Sequence, residues 1–330
     1  AAGRWSWYSI AEPNRSRSRL KTMTKRYFDL NTYFRERFGH RVHKLTVDAG
    51  LTCPNRDGTL STTGCIYCNA QGSGTGAFAR GLSVREQLEQ SKIPVARRFK
   101  ARKFIAYFQS FTNTYAPLET LRRRYEEALS VPDVVGLSIG TRPDCVDDAV
   151  LDLLAGYARK YLVWVEYGLQ SACDDTLRRI NRGHDVACFA DALERTRQRG
   201  LPVCAHVILG LPGETRRDML TTARFLADLA IDGVKLHLLY VIRGTPLEAL
   251  YRQGRFHCLE QEEYASLVCD FIERLPPRTV IQRVTGDPHP KELVAPAWAL
   301  RKRETFEQIQ AQFQQRGSRQ GLRYRSPGAG

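Results

Sequence analysis

From Val42 onward, short apolar runs alternate with longer stretches whose apolar positions recur every three or four residues. The runs at 42–49, 103–109, 134–141, 161–169, 202–209 and 233–239 read as strands. The stretches at 83–98, 118–130, 147–159, 185–199 and 214–230 read as amphipathic helices. Six strands and five helices in strict alternation predict a parallel sheet with right-handed crossovers. Several runs, such as Val134-Val-Gly-Leu-Ser-Ile-Gly140, are apolar nearly throughout, which fits burial on both faces. A doubly wound sheet or a partial barrel satisfies this pattern, and both place chemistry at the C-terminal ends of their strands. Polar and Gly-rich segments fall at those ends in each of the six units. Beyond the sixth strand, a helix at 261–274, a strand at 280–284 and a long helix at 296–316 predict an α/β extension that caps the sheet.

The chain has 330 residues, enough for one large α/β domain, and 42% hydrophobic content typical of a globular fold. No apolar run approaches the roughly 20 residues that span a bilayer, and no signal-peptide core is visible near the N-terminus. A cytoplasmic location without membrane association is the expectation. Nine cysteines, an odd number, then read as reduced thiols. The net charge of +15 suggests nucleic acid, but its distribution weakens the argument. Residues 1–26 hold seven Lys/Arg against one Glu, and residues 316–330 hold four Arg and no acid. These ends, read as a disordered extension and a flexible tail, supply ten of the fifteen charges. Residues 1–22 lack periodicity, and Met23 is read as the biological start, with an Arg-rich targeting peptide as the competing reading.

The richest segment follows the first strand: Cys53-Pro-Asn-Arg-Asp-Gly-Thr-Leu-Ser-Thr-Thr-Gly-Cys65-Ile-Tyr-Cys68. Three thiolates on one loop can hold three corners of a cubane iron–sulfur cluster and leave the fourth iron open to a ligand. On spacing alone, two other readings stand: structural zinc with His40 or His43, and a redox dithiol. Gly64, Gly72, Gly74 and Gly76 would let the loop curl, and an ordinary flexible loop is the plainer reading of the last three. Glu166 lies inside an apolar strand, so it needs a partner: a ligand, or a barrel lysine or arginine.

Five motifs in order carry a resemblance. They are the cysteine loop with Tyr67 before its last cysteine, Thr141-Arg-Pro-Asp144, Glu166-Tyr-Gly-Leu-Gln-Ser171, Asn181-Arg-Gly-His184 and Gly210-Leu-Pro-Gly-Glu214. Over roughly residues 27–298 the chain resembles the radical S-adenosylmethionine (SAM) superfamily. Within its elongator-subunit-3/MiaB/NifB-like group it is similar to the YhcC/YtqA family. The eleven residues between Cys53 and Cys65 depart from the commoner spacing of three and suit this subgroup. The resemblance implies a partial (β/α)6 TIM-type barrel at 27–240, with the C-terminal α/β extension at 241–315 on the substrate side. It implies a [4Fe-4S] cluster on Cys53, Cys65 and Cys68, and SAM on the open iron. Tyr67, Glu166, Gln170, Ser171, Arg182, His206 and Gly210 would surround SAM, with Glu166 at its amine or ribose and Arg182 at its carboxylate. His206 stands where relatives carry an acidic ribose ligand. Gln109, Asn113, Arg142, Lys235, His237 and Tyr240 are the substrate-facing candidates.

The function so implied is reductive cleavage of SAM to a 5′-deoxyadenosyl radical for tRNA modification, at a wobble-uridine side chain. An electron donor such as flavodoxin or ferredoxin would be required. A small-molecule substrate such as a tetrapyrrole precursor, and a non-enzymatic metal- or cluster-containing RNA-binding protein, are the alternatives.

Overall fold

The computed structural model describes residues 26–69, 72 and 76–326. The expectations for residues 1–25, for Gly74 and for the last four residues of the basic tail lie outside that range. Among the described residues nine strands form: β1 (Val42–Val47), β2 (Lys103–Phe108), β3 (Val134–Thr141), β4 (Leu162–Gln170), β5 (Val203–Leu209), β6 (Gly233–Leu238), β7 (Val241–Ile242), β8 (Val280–Arg283) and β9 (Leu293–Ala295). The helices are α1 (Leu30–Phe38), α2 (Val84–Phe99), α3 (Leu118–Leu129), α4 (Asp148–Ala158), α5 (Asp174–Arg179), α6 (Val186–Gln198), α7 (Arg216–Asp228), α8 (Pro246–Arg252), α9 (Gln261–Arg274) and α10 (Lys302–Gln315).

The helices start where their sequences cap them. Ser83 and Thr215 each close a capping box, with Glu86 and Asp218, while Asp147 and Asp185 accept from the third residue of α4 and α6. Their apolar faces cover a sheet whose strands are buried on both sides. In β4 all nine residues are buried.

The main sheet runs β1-β2-β3-β4-β5-β6-β8, every neighbouring pair parallel, and makes a seven-stranded half-barrel with helices outside. The strand expected at 280–284 does form, but it joins the barrel as a seventh strand beside β6 instead of standing in a separate cap. Six barrel strands was thus one too few. The helix expected at 296–316 is broken: a 3-10 turn at Ala297–Leu300 precedes α10.

Close approach is set at the sheet centre by Gly136, where a Cβ would sit 2.1 Å from the Leu162 carbonyl oxygen. At the bottom, Phe34 of α1 packs with Trp164, Ile105, Leu162 and Val280 to plug the barrel. The chain before α1 covers the free edge of β8, where Ile281 N–H donates to the Phe28 carbonyl at 2.8 Å. The plug leaves the opposite end, the C-terminal rim, open for a site.

Candidate active site

The cysteine loop sits on that rim, held by its own backbone and by two straps. Gly64 N–H donates to the Asn55 carbonyl at 2.7 Å, and Cys68 N–H to the Cys65 carbonyl at 3.0 Å. Arg56 reaches across to the Cys68 carbonyl at 2.8 Å and also donates to the Asn69 carbonyl. The second strap is the turn after α5. Asn181 Nδ2 donates to the Gly64 carbonyl at 2.7 Å, and Asn55 Nδ2 to the Asn181 carbonyl at 2.6 Å.

Arg182 follows in that turn and points at Cys65. Its Nη1 lies 3.6 Å from Sγ, as does Asn55 Nδ2, while Nε and Nη2 hold the Gly168 carbonyl at 3.1 and 2.7 Å. A Cβ at 168 would meet Arg182 Nη2 at 2.5 Å and Gln170 Nε2 at 2.6 Å, so any larger residue there would displace these side chains. Arg142 supports the turn from below. It grips Asp144 bidentately at 2.9 and 2.7 Å and donates to the Arg182 carbonyl at 2.8 Å. Burial would raise the Cys65 thiol, but the Arg182 guanidinium, with Arg142 behind it, outweighs burial and holds it below its ordinary value. Cys68 has less cationic help, and burial beside Cys65 pushes it up.

The three cysteines open onto a cavity of about 420 Å³. Tyr67, Gln109, Arg142, Glu166, Gln170, Arg182, His206, His237 and Tyr240 line it as well. Four other expected residues do not. Ser171 donates its hydroxyl to Glu214, tying two motifs together, and burial raises that carboxyl to about 7. Gly210 backs onto Leu259 and donates to Met219 Sδ at 3.1 Å. Asn113 is spent on the β3 end, with Nδ2 on the Gly140 carbonyl at 2.8 Å. Lys235 lies beneath Glu166.

Glu166, fully buried, is committed on both oxygens. Oε1 accepts from Lys44 Nζ at 2.5 Å and from Ser138; Oε2 accepts from Lys235 and pairs with His206 Nε2 at 2.8 Å. This is the internal ion pair that stood as the alternative to a ligand role. Burial would raise its carboxyl, but Lys235, Lys44 and His206 prevail and hold it well below the carboxylate range. Burial and Lys235 lower His206 to about 4, so its imidazole is neutral. His237, 5.3 Å away between ring centroids, is held well below its ordinary value by burial and Arg283.

The donor set fits a cluster better than a single ion. Zinc–thiolate bonds of about 2.3 Å would bring sulfurs within about 3.8 Å of one another. Among the described residues the one group of three donors within 4.8 Å is Glu166, Cys204 and His206, not the loop cysteines. A cation there would face two ammonium groups. His43 stacks on Phe99 at 4.2 Å and does not line the cavity, so the zinc reading loses one of its two candidates for a fourth ligand. A cluster takes one thiolate per iron and spreads them farther apart.

Several lining residues escaped sequence reading: Asn55, Arg56, Tyr107 and, from the segment after β8, Arg283, Asp287, His289 and Glu292. The signal was present. Gly286-Asp-Pro-His289 is another polar, turn-rich segment at a strand's C-terminal end, legible once β8 is counted in the barrel.

A model of the radical SAM superfamily matches residues 53–226, and one of the radical SAM C-terminal domain matches 231–315. The uncharacterized protein YtqA of Bacillus subtilis (strain 168) is 44% identical over 297 residues, 90% of this chain and 92% of that protein. Elongator complex protein 3 of Homo sapiens is 33% identical over 169 residues, 50% of this chain but only 30% of that protein. Among solved structures, the archaeal Methanocaldococcus infernus Elp3 superposes with a TM-score of 0.65 at 19% identity. The match covers 84% of this chain and 64% of that one, a likeness of fold. No helix among the described residues is long and apolar enough to cross a membrane.

Proposed function

The chain belongs to the radical SAM superfamily, whose enzymes use a [4Fe-4S] cluster and SAM, and we propose that it acts on a wobble-uridine side chain of tRNA. The observation that carries the site is the convergence of Cys53, Cys65 and Cys68 on one cavity, with Arg182 aimed at Cys65. We assign those cysteines as the cluster's three ligands. Bound together, the cluster and SAM supply one-electron cleavage to methionine and a 5′-deoxyadenosyl radical that takes a hydrogen atom from substrate.

The protein's own residues prepare for that chemistry. Arg182 and Asn55 donate toward the Cys65 sulfur, offsetting thiolate charge in a buried setting. Tyr67 and Gln170 line the cavity near the loop and are assigned to SAM. The ion-paired cluster around Glu166 makes a rigid polar floor. Gln109, His237 and Tyr240, with the segment after β8, are assigned to the substrate, which gives residues 241–315 a share of the site. An electron donor such as flavodoxin or ferredoxin would feed the cluster.

The tRNA assignment is supported by similarity to elongator subunit 3 and by the basic ends of the chain, which carry ten of its fifteen net charges. It is tested by nucleoside mass spectrometry of tRNA from cells with and without the protein. A modified uridine that disappears with the gene and returns with wild type, but not with Cys65→Ala, is the expected result. Identical nucleoside profiles would contradict it.

A further inference from the structure

The buried cations of the barrel are paired, whereas the partly buried Arg283 is not. Lys44 and Lys235 share Glu166, Arg142 holds Asp144, and Arg182 holds Cys65 and the Gly168 carbonyl. Arg283, the last residue of β8, lines the same cavity and has no hydrogen-bond or ion-pair partner among the described residues. Beside it, on the adjacent strand β6, His237 lines the cavity with its Nε2 buried and unpartnered. A buried ring nitrogen without a partner is costly unless a ligand supplies one. The nearby acids are engaged elsewhere: Asp287 with Lys302 at 2.7 Å, and Glu292 with Asn69 Nδ2 at 3.0 Å.

A second cavity, about 900 Å³, opens between the edges of β1 and β8. It shares Thr46, Tyr107, Gln109, Arg283 and Asp287 with the central one, so Arg283 stands where the two meet. Its walls carry Arg41 and Arg98, the Lys302–Asp287 ion pair, the His43–Phe99 stack and the half-exposed Phe306. Cations interleaved with aromatic faces are what single-stranded RNA grips, by phosphate contact and base stacking.

We propose that Arg283 and His237 form a phosphate-binding site at this junction, and that its ligand is a nucleotide phosphate of an RNA strand lying in the β1–β8 seam. The guanidinium fork takes two phosphate oxygens and the imidazole N–H a third contact. This rests on the tRNA reading above and locates the phosphate that brings the target base to the cavity.

The test uses the full chain with its cluster reconstituted, comparing wild type with Arg283→Gln and Arg283→Lys. Binding of uridine 5′-monophosphate, uridine, succinate and unfractionated tRNA is measured across a salt series. Arg283→Gln should weaken the nucleotide about tenfold or more, leave uridine unchanged and lower the salt slope for tRNA by about one. Arg283→Lys should recover part of the loss. Thermal unfolding should match wild type, because the side chain holds nothing in the fold. Nucleotide binding that depends on Arg283 without any tRNA retention would keep the site and defeat the tRNA reading. Equal nucleotide and tRNA binding by wild type and Arg283→Gln, at any level, overturns the proposal. A wild-type preference for succinate over the nucleotide overturns it too, in favour of a carboxylate.

Discussion

At Glu166 one buried carboxylate is shared by two lysines, and its surroundings dictate how the protein responds to acid. His206, bonded to it, has its protonation lowered from 6.5 to about 4 by burial and Lys235. Between those values the unfolded chain binds a proton that the folded one refuses. Stability from this group is therefore complete above pH 6.5 and drains as pH falls toward 4, by about 1.4 kcal/mol per pH unit. Glu166, held low, adds the same sign of dependence only below its unfolded value near 4.5. Urea midpoints at pH 7, 6 and 5 measure this slope, and His206→Gln should flatten it. An unaltered slope in that variant would remove His206 as the cause. The sequence alone showed that a carboxylate in an apolar strand needs partners, because the cost of burial is local. It did not show which ones, since Lys44 and Lys235 lie 122 and 69 residues away. The three cysteines were legible for the opposite reason: their chemistry is written within one loop.

Strands and helices carry their own signatures, so most elements could be read before the structure. Strands buried on both faces are apolar throughout, and their helices are capped and amphipathic. The place of β8 was not legible. It is four residues long and half of it is only partly buried, and the crossover leading to it is interrupted by β7 and α8. The glycines test this picture at the level of elements. Gly156, on the exposed face of α4, has open space around its missing Cβ, so Gly156→Ala should stabilise by about 1 kcal/mol. Gly136→Ala instead forces a methyl against the backbone between β3 and β4, and should cost about 3 kcal/mol or more. Chemical denaturation of the two variants measures the difference. Similar stabilities would mean that β3 and β4 are not packed as closely as described.

Across the whole molecule, one open rim opposite the plugged bottom gathers residues from all seven barrel strands or the loops after them. Family membership follows from motifs spread over most of the chain, which is why it was legible early. The seam between β1 and β8 was not, because it exists only once the sheet curls and its two edge strands face each other. The central claim is that Cys53, Cys65 and Cys68 hold a cluster that cleaves SAM. Its most direct measurement is 5′-deoxyadenosine formation after anaerobic reconstitution with iron and sulfide and reduction with dithionite, for wild type and Cys65→Ala. Product from wild type and none from the variant is the expected result. A correctly assembled four-iron cluster in the wild-type protein that leaves SAM intact would contradict it.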